Sequence, residues 1–205
     1  MRFLMKHAAP NLLGILGRAH DENAHSEVIR WLLDPRCAPN VAPITLASLV
    51  AHLEPATEWT ARVRAAVERD SLSVRREYVY GREWEDSEEL DRIDLVISGG
   101  GFVIPIENKL WAVEHGSQTL AYWSWLERLP GLRAGIFLTP TGFTAACPHF
   151  VPVSYLDLLR CFLDAALTGK LSGAEQSVLA SYVKTLADHV LRPEARTIRG
   201  MGGAP

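Results

Sequence analysis

Arg92-Ile93-Asp94-Leu95-Val96-Ile97-Ser98, a run of three glycines at 99–101, and Phe102-Val103-Ile104-Pro105-Ile106-Glu107-Asn108-Lys109 read as two β-strands joined by a tight turn. Each arm is β-branched or apolar, and a two-residue Gly100-Gly101 loop is among the favoured hairpin connections, because glycine accepts the positive φ such turns use. Counting back from the loop pairs Gly99 with Phe102, Ile97 with Ile104 and Leu95 with Ile106 on one face. The other face pairs Val96 with Pro105 and Asp94 with Glu107. Directly opposed side chains have Cβ atoms about 5 Å apart, and two like charges at that distance destabilise a sheet unless something offsets them. A divalent cation would do so. Lys109 lies two residues beyond Glu107, and the alternation of a strand returns its side chain to the same face.

The 205 residues, 48% hydrophobic and 22% charged, suit one globular domain over 1–192 followed by a loosely ordered, glycine- and proline-bearing tail at 193–205. A net charge of −3 gives no global basic signature, so a nucleic-acid contact has to come from local cations; this argues against a sequence-independent coating protein. Cys37, Cys147 and Cys161 are odd in number and widely spaced, which suggests neither a zinc site nor a disulfide framework and fits a reducing cytoplasm. The start of the chain lacks the apolar run of a signal peptide. The longest stretch free of Asp, Glu, Lys and Arg, 134–156, is broken by Pro140, Pro148 and Pro152, so no membrane span is expected.

Upstream of the hairpin, Asp21 suits an N-cap and Pro35 a stop, with Ala24, Val28, Trp31 and Leu32 at helical spacing between them. Glu22, His25 and Ser26 form the opposite stripe and project together. Helices are expected at 44–53 and 57–69 and a strand over Val74–Tyr80, then a solvated acidic loop with Glu83, Glu85, Asp86, Glu88 and Glu89. Ser117 can cap a helix from Gln118 to about Leu129, before Pro130-Gly131. Strands at Gly135–Leu138 and Val151–Tyr155 and helices near 156–167 and 174–191 complete the order: a mixed sheet flanked by helices.

This order, with Asp94 on one strand and Glu107-Asn108-Lys109 on the next, resembles the PD-(D/E)XK nuclease superfamily. Glu22-Asn23-Ala24-His25-Ser26 through Trp31-Leu32-Leu33-Asp34-Pro35 is similar to the N-terminal helix signature of a bacterial and phage branch, and Gln118-x-x-x-Tyr122 to an element of RecB-like nucleases. Ile93 stands where the name-giving pattern has proline, which leaves the acidic ligand intact. The resemblance implies a restriction-endonuclease-like α/β core in αβββαββ order, a mixed central sheet flanked by helices, with additional helices. It also implies metal-assisted phosphodiester hydrolysis. Mg²⁺ or Mn²⁺ would be held by Asp94, Glu107 and the backbone carbonyl of Asn108, with Glu22 contributing directly or through water. Lys109 would orient the nucleophile or stabilise transition-state charge, and Gln118 and Tyr122 would steady the site or the substrate backbone.

Each residue also has a plainer reading. Lys109 can pair with Glu107 at the surface, and Glu22 can serve as a helix-end charge. His25 can contact phosphate or sit as a hydrogen-bonded helix residue. Arg92, like Arg75 and Arg76, can position a phosphate backbone or be ordinary surface arginine. Tyr122, Trp123 and Trp125 can stack on bases or belong to the core. The expected activity is a cytoplasmic, Mg²⁺-dependent nuclease acting on DNA, in defence, repair or mobile-element biology. The alternatives are a non-cleaving nucleic-acid-binding or regulatory module of the same fold and a protein-interaction domain. Homodimer formation is left open.

Overall fold

The computed structural model describes residues 9–80, 92–111, 114 and 117–191. The acidic cluster at 83–89, the start of the chain and the tail at 193–205 lie outside the described residues.

Polar caps and prolines set the helix ends. After a short α1 (Leu12–Ile15), α2 runs Glu22–Leu33, with Asp21 accepting a hydrogen bond from the Ala24 N–H at 3.1 Å and Pro35 beyond its end. Next come α3 (Ala42–Val50), α4 (Ala56–Glu68), β1 (Ser73–Val79), β2 (Arg92–Gly99) and β3 (Phe102–Asn108). They are followed by α5 (Gln118–Leu126), β4 (Leu132–Arg133), β5 (Gly135–Thr139), β6 (Phe150–Ser154), α6 (Tyr155–Leu167) and α7 (Gly173–Thr185). Capping boxes, Ser154 with Asp157 and Ser172 with Glu175, start the last two helices. A π-helical turn, Leu186–Val190, follows α7 where a continuous helix to 191 is expected from sequence. Among the described residues, no helix is long and apolar enough to cross a membrane.

The sheet has six strands in the order β1-β2-β3-β5-β6, with β4 also paired to β3. β1, β2 and β3 are antiparallel, while β3, β5 and β6 are parallel and so end at one common edge. The hairpin register is the expected one: Gly99 opposite Phe102, Ile97 opposite Ile104, Val96 opposite Pro105 and Leu95 opposite Ile106. The pairing ends there, and Asp94 and Glu107 are the next residues on the two strands. β4 and β5 share one register against β3, Phe102 opposite Leu132 and Ile106 opposite Ile136, so they are two pieces of one strand interrupted at Ala134. The larger core covers the face bearing Leu95, Ile97, Ile104 and Ile106, under α2, α3, α4, α6 and α7. A smaller aromatic cluster covers Val96, Phe137 and Phe150 on the other face, with Tyr122 of α5 at its centre.

Two turns depart from expectation. Of the central loop glycines only Gly101, at φ +89°, needs the left-handed region; Gly100 does not. α5 unwinds at Leu126, not Leu129, because a residue before proline avoids helical backbone and the chain must turn ahead of Pro130. That turn brings Gly131 against the hairpin loop. Gly131 has φ +97°, Leu132 N–H donates to the Gly101 carbonyl at 2.9 Å, and a Cβ on Gly131 would lie 2.3 Å from that oxygen. Gly131→Ala is therefore expected to destabilise the protein by about 2 kcal/mol or more, through backbone strain and a clash with a fixed carbonyl. Gly17→Ala, at φ +67° with open space around it, should cost only about 1 kcal/mol. Urea unfolding of the two variants measures the difference.

Candidate active site

Strand alternation divides the end of β3 between the two faces of the sheet. Glu107 and Lys109 turn one way, and Lys109 Nζ sits 2.7 Å from Glu107 Oε1. Asn108 turns the other way, toward α2 and α6. Glu107 is only 1% exposed, and Lys109 is buried as well, so the pair is not a surface ion pair. The contact with Lys109 is close but poorly angled for a hydrogen bond, and Glu107 Oε2 makes no well-formed hydrogen bond among the described residues. A buried carboxylate in that condition is costly unless another group completes it.

The electrostatics follow from this. Burial, with the Asp94 charge behind it, pushes the Glu107 carboxyl up to about 7, against the pull of Lys109. Burial raises Asp94 too, opposed by the Asn108 N–H, which donates to Asp94 Oδ2 at 2.8 Å, and by Lys109. Burial works against the charge on Lys109, but the Glu107 and Asp94 carboxylates outweigh it and hold the ammonium above its usual pKa. Lys109 is thus a permanent cation, suited to donating charge and not to taking a proton. The backbone beside the site is strained: Glu77 of β1, level with Asp94 across the ladder, has φ +46°, a conformation costing on the order of 1–3 kcal/mol. Its neighbour Arg76 ties β1 to α2 through Glu27 at 3.1 Å and Asn23 at 3.3 Å, and its charge helps to lower the Asp94 pKa.

Glu22 stands at the start of α2, where its Oε1 accepts the Leu110 N–H at 2.8 Å. This bond and the one from Asn108 Nδ2 to the Glu22 carbonyl, at 3.2 Å, stitch the helix to the end of β3. Among the described residues no three His, Cys, Asp or Glu side chains converge as a metal-binding group. Asp94 and Glu107 act on each other electrostatically, while Glu22 gives its Oε1 to backbone N–H groups. Two carboxylates with a buried oxygen that lacks a hydrogen bond between strand ends still match what a hard divalent cation requires, since such an ion takes few protein oxygens and keeps several waters.

For His25 and Tyr122 burial favours the core reading over contact with nucleic acid. His25 is fully buried, with Nε2 3.0 Å from the Ala19 carbonyl and Nδ1 3.1 Å from the Tyr182 hydroxyl, and burial pushes its pKa down to about 4. It is a neutral core histidine and cannot reach a phosphate. Ser26, beside it, is likewise buried and accepts from Asn108 Nδ2 at 2.9 Å. Tyr122 is fully buried and cannot touch nucleic acid either: its hydroxyl donates to the Arg92 carbonyl at 2.9 Å and accepts from Gln118 Nε2 at 3.0 Å. It also acts on Glu107, lowering that carboxyl's pKa, but its single proton is committed to Arg92. Gln118 keeps a buried Oε1 without a partner. The Arg92 side chain is exposed.

Sequence reasoning missed Glu114, whose carboxylate accepts from Thr119 N–H and Oγ1 at 2.8 and 2.6 Å and from Ala146 N–H at 2.7 Å. It fastens the loop after β5 to the start of α5 and adds its charge near Lys109. No spacing rule marks such a residue.

A mixed sheet flanked by helices, with a carboxylate pair and a lysine on its central hairpin, defines the restriction-endonuclease-like α/β class. The model of the PD-(D/E)XK nuclease superfamily matches residues 10–131, more than half of the chain, and the protein belongs to that superfamily. No curated protein and no solved structure gives a significant match.

Proposed function

We propose that the protein is a Mg²⁺- or Mn²⁺-dependent nuclease that hydrolyses phosphodiester bonds of DNA. The observation that carries this reading is Glu107: buried, within reach of the Asp94 charge, its Oε2 without a hydrogen bond, and with Lys109 2.7 Å from Oε1. Asp94 and Glu107 would hold the ion together with the Asn108 carbonyl. That carbonyl is supported by the Asn108 N–H, which points at Asp94, because the N–H and C=O of one strand residue face the same side. When bound, the ion supplies Lewis-acid charge to the phosphoryl oxygen and acidifies water. Lys109, kept protonated by its carboxylate neighbours, stabilises negative charge building on the phosphoryl group. Gln118 and Tyr122 hold the start of β2 and so the position of Asp94, while exposed Arg92 would meet the substrate backbone. Incubation with circular and linear DNA and RNA, with and without Mg²⁺ or Mn²⁺, tests the proposal. Binding without cleavage at any metal concentration would favour the non-cleaving module instead.

Glu22→Gln separates an accessory metal role from a structural one. Glutamine keeps the acceptor for Leu110 N–H and removes only the charge. If Glu22 acts on the ion through water, cleavage should fall several-fold at low Mg²⁺ and recover as Mg²⁺ is raised. A purely structural Glu22 predicts a stability loss of about 0.5 kcal/mol and a Mg²⁺ curve that coincides with wild type.

A further inference from the structure

Asn108 makes an unusual demand on its surroundings. It is fully buried between Glu107 and Lys109, yet its side chain faces away from both, into the core under α2, α6 and α7. There it is completely satisfied. Nδ2 donates to the Glu22 carbonyl and to Ser26 Oγ, at 3.2 and 2.9 Å, and Oδ1 accepts from the Tyr155 hydroxyl at 2.6 Å. Because a carbonyl can only accept, the Glu22 contact fixes which end of the amide is which, so Tyr155 must be the donor to Oδ1. The chain of contacts continues beyond it. The Tyr182 hydroxyl lies within hydrogen-bonding reach of both Tyr155 and His25 Nδ1, and both tyrosines are buried. His25 Nε2 must carry its proton toward the Ala19 carbonyl, which leaves Nδ1 as an acceptor for Tyr182.

We infer that Tyr155 is a positioning residue of the active site, acting through the Asn108 amide on the peptide that carries Glu107, the Asn108 carbonyl and Lys109. The inference rests on the metal-dependent nuclease reading. Tyr155 is the first residue of α6 and follows β6 directly, at the common edge where the parallel strands end. It falls outside the stretch 10–131 that the superfamily model matches, so α6 takes part in shaping a site whose proposed ligands all lie within that stretch. Removing the Tyr155 hydroxyl leaves Oδ1 buried without a donor, and the amide can recover one only by rotating away from Glu22 and Ser26. That rotation disturbs the Asn108 N–H bond to Asp94 and the aim of the Asn108 carbonyl together.

The test uses Tyr155→Phe in the full chain, with circular dichroism to establish folding, calorimetric titration with Mn²⁺, and cleavage kinetics. The expected result is a Kd for Mn²⁺ raised at least five-fold and kcat lowered at least ten-fold, with KM within two-fold of wild type. In an Asn108→Ala background the same substitution should change the Mn²⁺ Kd by less than two-fold, because the residue through which it acts is gone. Ser26→Ala, which removes the other side-chain partner of the Asn108 amide, should shift Mn²⁺ affinity in the same direction by a smaller factor, and it carries the test if Tyr155→Phe does not fold. A Tyr155→Phe protein that melts lower but binds Mn²⁺ and turns over like wild type overturns the inference, as does an equal loss in the Asn108→Ala background. A folded wild type that neither takes up Mn²⁺ nor cleaves would overturn the nuclease reading, and this inference with it.

Discussion

Glu107→Gln is expected to reduce metal-dependent cleavage on the order of a hundredfold or more while making the metal-free protein more stable at neutral and alkaline pH. Both effects have one origin. The Glu107 carboxyl titrates near 7 in the folded chain against an ordinary 4.5, so the folded state holds a proton that the unfolded state has released. Stability from this group is complete below about pH 4.5 and is lost as pH rises toward 7, by on the order of 3 kcal/mol if the group acts alone. Glutamine removes that dependence. The variant should match wild type near pH 4 and exceed it by about 1–3 kcal/mol near pH 8, the lower figure applying if Lys109 misses its partner. Thermal melts at the two pH values, with chelator present, supply the comparison. A wild type whose metal-free stability is flat between pH 4.5 and 7, or a variant that still cleaves, would remove Glu107 from the site.

Asp94→Ala and Lys109→Met should separate metal binding from turnover. Asp94 is both an oxygen donor and the acceptor of the Asn108 N–H at 2.8 Å, so its loss should abolish Mn²⁺ affinity and cleavage and cost about 1–2 kcal/mol of stability. Lys109→Met removes no oxygen ligand. Cleavage should fall on the order of a hundredfold, with Mn²⁺ affinity at pH 8 kept. At pH 7 its affinity should be weaker, because Lys109 lowers the Glu107 pKa and without it a proton competes more strongly for that carboxylate. Calorimetry at both pH values is decisive. Equal Mn²⁺ affinity in wild type and Asp94→Ala would place the ion elsewhere.

The hairpin could be read from sequence because its determinants are local: alternation and a glycine turn set the register from Gly99 to Leu95 without help from the rest of the chain. α2 was equally plain, since Asp21 and Pro35 mark its ends. Its polar stripe leaves two readings of His25 open. His25 and Ser26 look solvent-facing to any periodicity rule, but they are buried against Tyr182 and Asn108, partners 157 and 82 residues away. A pattern confined to one helix cannot see a hydrogen bond that far along the chain. Tyr122 went the same way: the motif picked out the residue, but only the fold shows that its hydroxyl is spent on Arg92. β4, with only Leu132 and Arg133, is too short to leave a periodic trace.

The place of β3 in the sheet bears on how the protein can be dissected. It lies between β2 and the interrupted strand formed by β4 and β5, and both of its edges are paired. The superfamily match ends at residue 131, one position before that partner begins. A fragment trimmed to the matched stretch would carry Glu22, Asp94 and Glu107 yet leave the strand bearing Glu107 with an open row of N–H and C=O groups on one side, above uncovered Ile104 and Ile106. Such an edge is a template for joining other chains, so the natural unit for expression and redesign extends at least through α7, and the motif's boundary is not a folding boundary.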